Sequence, residues 1–409
     1  MMTINKLDPV LLYLVAALVG GMANTITFTT SIIYRVETVG LDPLQLVLVG
    51  TTLEATVFLF EIPTGVVADI YSRRLSTIIG FFIMGVGFMM EGLAPVFALV
   101  LLSQVIWGLG WTFVSGANTA WLTDEVGAKK AAPVFLRERQ FLMLGNLIGI
   151  PISLWLAQQY LGLPFLVGGS LRILLAVFLV LFMPETGFQR KSPDEREGWQ
   201  DLWITLRAAF SHVRQSTILI IFVLIALVVG LYSEGWDRLS EAHLLAQFAF
   251  PNLLGLDTIG WFGIFRFLGI VLGLGASEIT LRVIKTEKGR SFARLLQMLY
   301  AGMLIAMIVF TFSRNFFQAV IFMLFFDAFR LVTFPLTQAW LNQQIKSEVR
   351  ATVLSMTAQL DAFGQMMGGP IIGWIGSMRS LQAALVTSAL VLVPSVPLWG
   401  WVLRQSEKK

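Results

Sequence analysis

Cysteine is absent from the chain, which excludes disulfides, thiol chemistry and cysteine metal sites. Histidine occurs twice, as His212 and His243, and neither has metal-ligand spacing around it. No metal and no cofactor is therefore expected. Charge is scarce: Asp, Glu, Lys and Arg make up 13% of the 409 residues, against about 25% in soluble domains. There is no HExxH, no phosphate loop and no His–Asp acyl-transfer pair at membrane depth. An intramembrane enzyme such as an acyltransferase is thus only a remote alternative. The net charge of +4 and pI near 9.4 would suit nucleic acid. The basic residues instead gather in loops on one side of the apolar segments, so no nucleic-acid partner is expected.

What the chain has in abundance is apolar sequence: 56% of residues are hydrophobic and the mean hydropathy is +0.77. A membrane span needs about 20 mainly apolar residues. Twelve are expected, at 9–34, 42–68, 75–93, 95–121, 136–158, 163–183, 216–239, 258–280, 292–312, 316–342, 350–376 and 381–403. The first is too long for a signal-peptide core and lacks a cleavage site, so it reads as a span of the mature protein. With the N-terminus inside, 22 of the 29 Lys and Arg residues fall in cytoplasmic segments and four outside, Arg35, Arg238, Arg314 and Arg379. That bias orients the chain in the inner membrane with both termini cytoplasmic.

The fold class expected is an all-α membrane protein with twelve transmembrane helices in two pseudo-symmetric six-helix bundles, 1–184 and 216–409. The polar stretch 185–215 is a cytoplasmic linker, and its apolar spacing over 199–210 predicts an amphipathic helix on the membrane surface. The two halves repeat. At an offset of 219 residues, Ala120-Trp121-Leu122 matches Ala339-Trp340-Leu341. At the same offset Gly145, Gly149, Pro151, Ile152 and Trp155 match Gly364, Gly368, Pro370, Ile371 and Trp374. At an offset of 209, Ala17 to Gly21 matches Ala226 to Gly230. Gly145, Gly149 and Pro151 in span 5, and Gly364, Gly368 and Pro370 in span 11, are expected to serve close helix packing.

Charges inside the membrane are costly unless paired or wetted, so each is a functional candidate. Glu54 and Glu61 share a face of span 2. Glu234 lies in span 7, Asp327 and Arg330 in span 10, Asp361 in span 11, Arg266 in span 8 and Arg172 in span 6. Asp327 and Arg330, three apart, are expected to pair along their helix. Glu54, Glu61, Glu234 and Asp361 are read as having no close cation in sequence. Burial without a partner favours the neutral form of a carboxyl group, which makes these acids, with Asp327, the proton-coupling candidates. Asn24, Trp107, Trp111, Trp261, Phe265, Phe326 and Phe329 are candidate cavity walls. Aromatic walls with a few acids would suit lipophilic cations.

Between spans 2 and 3 runs Gly65-Val-Val-Ala-Asp69-Ile-Tyr-Ser-Arg73-Arg74. Gly65 would let a neighbouring helix approach. Asp69 would pair with a cation, Arg137 or Arg139, and Arg73 and Arg74 would hold the cytoplasmic surface. The spacing G-x-x-x-D-x-x-x-R-R resembles the signature loop of the major facilitator superfamily of secondary transporters, with Ser72 where that family usually has Gly. The resemblance implies a cytoplasmic gate here. It also implies a substrate site between two six-helix halves, lined by helices 1, 2, 4, 5, 7, 8, 10 and 11. The Gly–Pro element of span 5 looks like a degraded form of one carried by the family's exporters. Ala120 to Glu125 and Leu231 to Leu239 look similar to proton-coupled drug exporters of the macrolide and tetracycline branch. One departure is Gln104, where many such exporters have an arginine four residues before a glycine. The resemblance implies proton-coupled export of amphiphilic or lipophilic small molecules by a monomer that needs only substrate, protons and a lipid bilayer. The alternatives are siderophore or metabolite export, nutrient import and lipid transport.

Overall fold

The computed structural model describes residues 6–189, 207, 214, 217–253, 255–286, 289–344 and 347–405. Within them the protein is all-helical, 88% helix with no strand. In lipid an open strand edge would leave backbone groups unbonded, and a helix satisfies them internally. The helical spans are α1 (Pro9–Thr38), α2 (Pro43–Ile70), α3 (Arg73–Leu93), α4 (Phe97–Val126), α5 (Ala128–Gln159), α6 (Leu163–Phe182), α7 (Thr217–Gln247), α8 (Thr258–Lys285), α9 (Ser291–Thr311) and α10 (Phe316–Asn342). They are followed by α11 (Ser347–Met378) and α12 (Leu381–Arg404). By length and composition, eleven of these twelve are apolar enough to cross a membrane. The exception, α11, is 32 residues long but carries more polar side chains. The surface helix expected over 199–210 lies outside the described residues.

Local chemistry sets the helix ends. Asp8 caps α1 by accepting from the Leu11 amide at 2.9 Å, with Pro9 at the first helical position. Ser72 caps α3 through the Leu75 amide at 2.8 Å, and Ser380 caps α12 through the Ala383 amide at 3.1 Å. α1 breaks after Phe28 and ends in a π-helical turn, Tyr34–Thr38. α4 breaks at Gly116, whose φ of 70° favours glycine.

The chain divides into two compact units. Unit 1 holds Met1–Leu41, Thr52–Asp201 and Thr258–Arg266; unit 2 holds Asp42–Thr51, Leu202–Asp257 and Phe267–Lys409. In unit 1, α1 and α5 meet through glycine. A methyl group at Gly145 would run into the carbonyl oxygen of Leu18, one at Gly149 into that of Met22, and one at Gly21 into that of Leu142. In unit 2, α7 and α11 meet the same way: Gly364 against Leu227, Gly368 against Leu231 and Gly230 against Asp361. Each contact follows from its counterpart by the offsets 209 and 219, so the sequence repeat is also a repeat of packing. Unit 2 also takes in the first turns of α2: Ser377 donates to Asp42 at 2.9 Å and accepts from the Leu44 amide at 2.9 Å.

Candidate functional site

The densest group of membrane-depth charges lies in unit 2, on α7, α10 and α11. Arg330 of α10 donates to both carboxylate oxygens of Asp237 on α7, one of them at 2.9 Å. The expected pairing of Arg330 with Asp327 is therefore corrected. A fork to a facing helix gives bidentate geometry, and Asp327 instead accepts from the Trp236 indole at 3.4 Å. Glu234 is also corrected, because Arg238 one turn on meets it at 3.1 Å. Asp361 accepts from Gln365 at 2.8 Å and feels the charge of Arg330. It stands at the repeat position that unit 1 fills with Leu142, so this acid is a feature of one half only.

Behind the cluster Trp236 packs on Phe326 with ring centroids 3.9 Å apart, and Tyr232 meets Phe326 edge-on. Phe326 is fully buried there; in unit 1, Trp261 and Phe265 are 8% and 7% exposed. These three were expected as cavity walls and are core side chains instead. Phe329 also turns to packing, against Gly302 of α9. Trp111 is 46% exposed.

At the other named positions, Glu61 is exposed and accepts from Ser115 at 3.4 Å, and Glu54 is half-buried. The charged hinge between α2 and α3 is tied down within unit 1. Asp69 meets Arg73 at 3.4 Å, four residues on. Arg73 also pairs with Asp124 and donates to the Ala120 carbonyl at 3.1 Å. Space around Gly65 is open, with nothing within 4 Å of an added Cβ, so close helix approach is not its role in unit 1. Glu185 accepts from Ser72 at 2.6 Å and from the Arg74 amide at 2.9 Å. Glu125 accepts from the Thr186 amide and hydroxyl and from the Gly187 amide, at 2.6, 2.7 and 2.8 Å.

A second buried charge pair went unnoticed in the sequence. Arg35, assigned to an outside loop, lies in the π-helical turn of α1 and meets Glu91 of α3 at 2.7 Å, with side-chain exposures of 7% and 1%. Glu91 also accepts from Ser103 at 3.0 Å and Gln104 at 2.9 Å, and Gln104 accepts from the Trp107 indole at 2.8 Å. Gln104 is thus bonded to a carboxylate that takes its cation from α1. The available signal was a lone acid in the apolar run Phe88-Met-Met-Glu91-Gly-Leu.

Two further intramembrane arginines belong to unit 1. Arg172 is 5% exposed. It donates weakly to the Gly20 carbonyl and to Asn24 Oδ1, both at 3.4 Å, and lies over the Phe88 ring at 5.1 Å. Arg266 is exposed and donates to the Phe28 carbonyl at 2.9 Å, where α1 breaks.

Residues 12–354 match the Major Facilitator Superfamily. The chain is 24% identical over 369 residues to an uncharacterized MFS-type transporter, YxaM, of Bacillus subtilis (strain 168), covering 88% of this chain and 87% of that one. Solved structures of similar fold include a variant of the nucleoside transporter NupG, with a TM-score of 0.80, 13% identity and coverage of 97% of this chain and 100% of that one. Another is a bacterial homologue of the human lysosomal transporter Spinster, inward-facing and unoccupied. Its TM-score is 0.75 and its identity 14%, over 98% of this chain and 97% of that one. At such identities the likeness is one of fold. The family match spans most of an all-helical chain of membrane-crossing helices, and the chain belongs to the Major Facilitator Superfamily as a multi-pass membrane transporter of small molecules, not an enzyme.

Proposed function

We propose that the chain is a proton-coupled exporter of amphiphilic small molecules that works by alternating access. The observation that carries this reading is the charge cluster of α7, α10 and α11. Glu234, Asp237, Asp327 and Asp361 there outnumber Arg238 and Arg330. A surplus of carboxyl groups at membrane depth can bind a proton in one conformation and release it when water arrives in another. Asp327 and Asp361 are the acids assigned to coupling, because Glu234 and Asp237 each form an ion pair with an arginine. The direction of transport rests on the exporter-like Gly–Pro elements of α5 and α11. Placement in the inner membrane with both termini cytoplasmic rests on the Lys and Arg bias.

The test is proton movement in proteoliposomes of the full chain on adding a panel of amphiphilic compounds. At least one compound should move protons across protein-containing vesicles and none across empty ones. Uphill transport that follows a sodium gradient and ignores a pH gradient would overturn the coupling reading.

A further inference from the structure

We propose that Asn24 and Arg266, both in unit 1, form a recognition site for an anionic head group, a carboxylate or phosphate ester, on the transported amphiphile. The inference rests on the transport reading and names the chemistry of its substrate.

Arg266 is the ninth residue of α8, about 12 Å from the start of the helix, within a hydrocarbon core about 30 Å thick. A guanidinium at that depth is expensive unless it is paired or meets water. Among the described residues Arg266 has no carboxylate partner, and its one hydrogen bond goes to the Phe28 carbonyl. A guanidinium has five N–H donors. One is used, and the exposed side chain leaves the others open. Its residual charge therefore has to be met by water or by a ligand.

Asn24 is also exposed, one turn before Phe28 on α1 and about 6 Å from it along the helix face. Lipid would leave its amide unbonded, so that exposed face also meets water. Arg172 donates to Asn24 Oδ1 from the buried side. What Asn24 offers outward is therefore its Nδ2 hydrogens. The buried arginine fixes the amide as a donor and adds positive charge behind it. Two neighbouring exposed groups, the Asn24 amide and the Arg266 guanidinium, both donors and with the Arg172 guanidinium behind Asn24, suit an anion and disfavour a cation. The Phe28 ring beside them lies 5.2 Å from Phe88 and 5.8 Å from Trp107, an aromatic surface for the apolar part of the molecule. Of the acids that had suggested a cationic substrate, Glu234, Asp327 and Asp361 lie in unit 2, with Glu234 paired to Arg238, while Glu54 and Glu61 lie on α2 in unit 1.

The test uses 1-pyrenebutyrate, 1-pyrenebutanol and 1-pyrenebutylammonium, which share one aromatic body and differ in head-group charge. Their fluorescence reports binding to the full chain in phosphatidylcholine nanodiscs, against empty nanodiscs and with no gradient imposed. The butyrate should bind at least tenfold tighter than the other two. Arg266→Gln should remove that preference, Arg266→Lys should keep part of it, and Asn24→Asp should reverse it. If Arg266→Gln fails to fold, Asn24→Asp reads the same site alone. Equal binding of the three probes, or a preference for butyrate that survives both Arg266→Gln and Asn24→Asp, would overturn the proposal. Loss of butyrate binding when a third of the lipid is phosphatidylglycerol would assign the site to a lipid head group and also overturn it. Because no gradient is present, these outcomes leave the proton-coupling test separate.

Discussion

Arg330 of α10 grips the carboxylate of Asp237 on α7 with both arms of its guanidinium, so two helices of unit 2 are tied at membrane depth. The two side chains are 34% and 37% exposed. The fork matters for orientation, since a lysine cannot reproduce two parallel donors. Arg330→Lys should therefore insert normally and lose most transport in the proteoliposome assay. Normal transport by that variant would show that the fork is dispensable.

Gly145 and Gly364 occupy equivalent places in two helix seams, each against a backbone carbonyl one helix away. A larger side chain has nowhere to go without parting the helices. Gly145→Leu and Gly364→Leu should each cost about 1–3 kcal/mol through overpacking. Thermal unfolding followed by size-exclusion chromatography would read the loss. If one variant unfolds like the parent while the other does not, the two seams are not equivalent.

At the hinge, Arg73 is shared between Asp69 and Asp124. Asp124→Asn and Asp69→Asn should both slow transport several-fold while leaving insertion intact, because each loosens the same arginine. The double variant should be little worse than the poorer single one, since coupled partners do not add. Strictly additive losses would argue that the two acids act on different partners.

Most of the fold was legible in the sequence because the bilayer imposes one rule, about 20 apolar residues per span with basic loops on one side. The offsets 209 and 219 marked which segments correspond, and the fold repeats the same glycine-to-carbonyl contacts between them. The site was less legible because charge pairing depends on which helix faces which. Spacing along one helix suggested Asp327 with Arg330. The fold offered Arg330 a better-placed carboxylate on α7, and spacing within α10 carries no trace of that. Arg35 looked like a loop residue because the π-helical turn that buries it leaves no mark in the hydropathy. Phe326 looked like a cavity wall because an aromatic on a cavity helix reads the same whichever way it turns.

Arg35 and Glu91 form the most buried ion pair named here, with 7% and 1% side-chain exposure. Removing one partner strands the other in a medium that cannot solvate it, at a cost of about 3–5 kcal/mol. Glu91→Leu alone should therefore unfold well below the parent temperature, and so should Arg35→Met. The double variant should recover much of the loss, because an apolar pair of similar volume has no desolvation penalty to offset. A double variant no better than either single one would mean that Glu91 is needed chiefly by Ser103 and Gln104.

The acids proposed for coupling are separable by what each replacement leaves behind. Asp327→Asn keeps an acceptor for the Trp236 indole, and Asp361→Asn keeps one for Gln365. Neither exchange empties space or breaks an ion pair, so expression and thermal stability should stay near those of the parent. What the amide cannot do is carry a proton. An acid that couples transport to the gradient should, once amidated, abolish uphill accumulation and spare downhill exchange, because substrate can still bind while the proton no longer drives the cycle. Glu234→Gln should behave differently. It breaks the ion pair with Arg238 in a nearly closed setting, the carboxylate side chain being 3% exposed, and should lower stability first. Glu54→Gln and Glu61→Gln, on α2 in unit 1, are expected to retain uphill transport. The deciding measurement is accumulation against a gradient set beside exchange at equal pH, for all five variants in the same vesicles. If Asp327→Asn and Asp361→Asn both still accumulate substrate uphill, separately and together, the proton is carried elsewhere and the unit 2 cluster is a structural one.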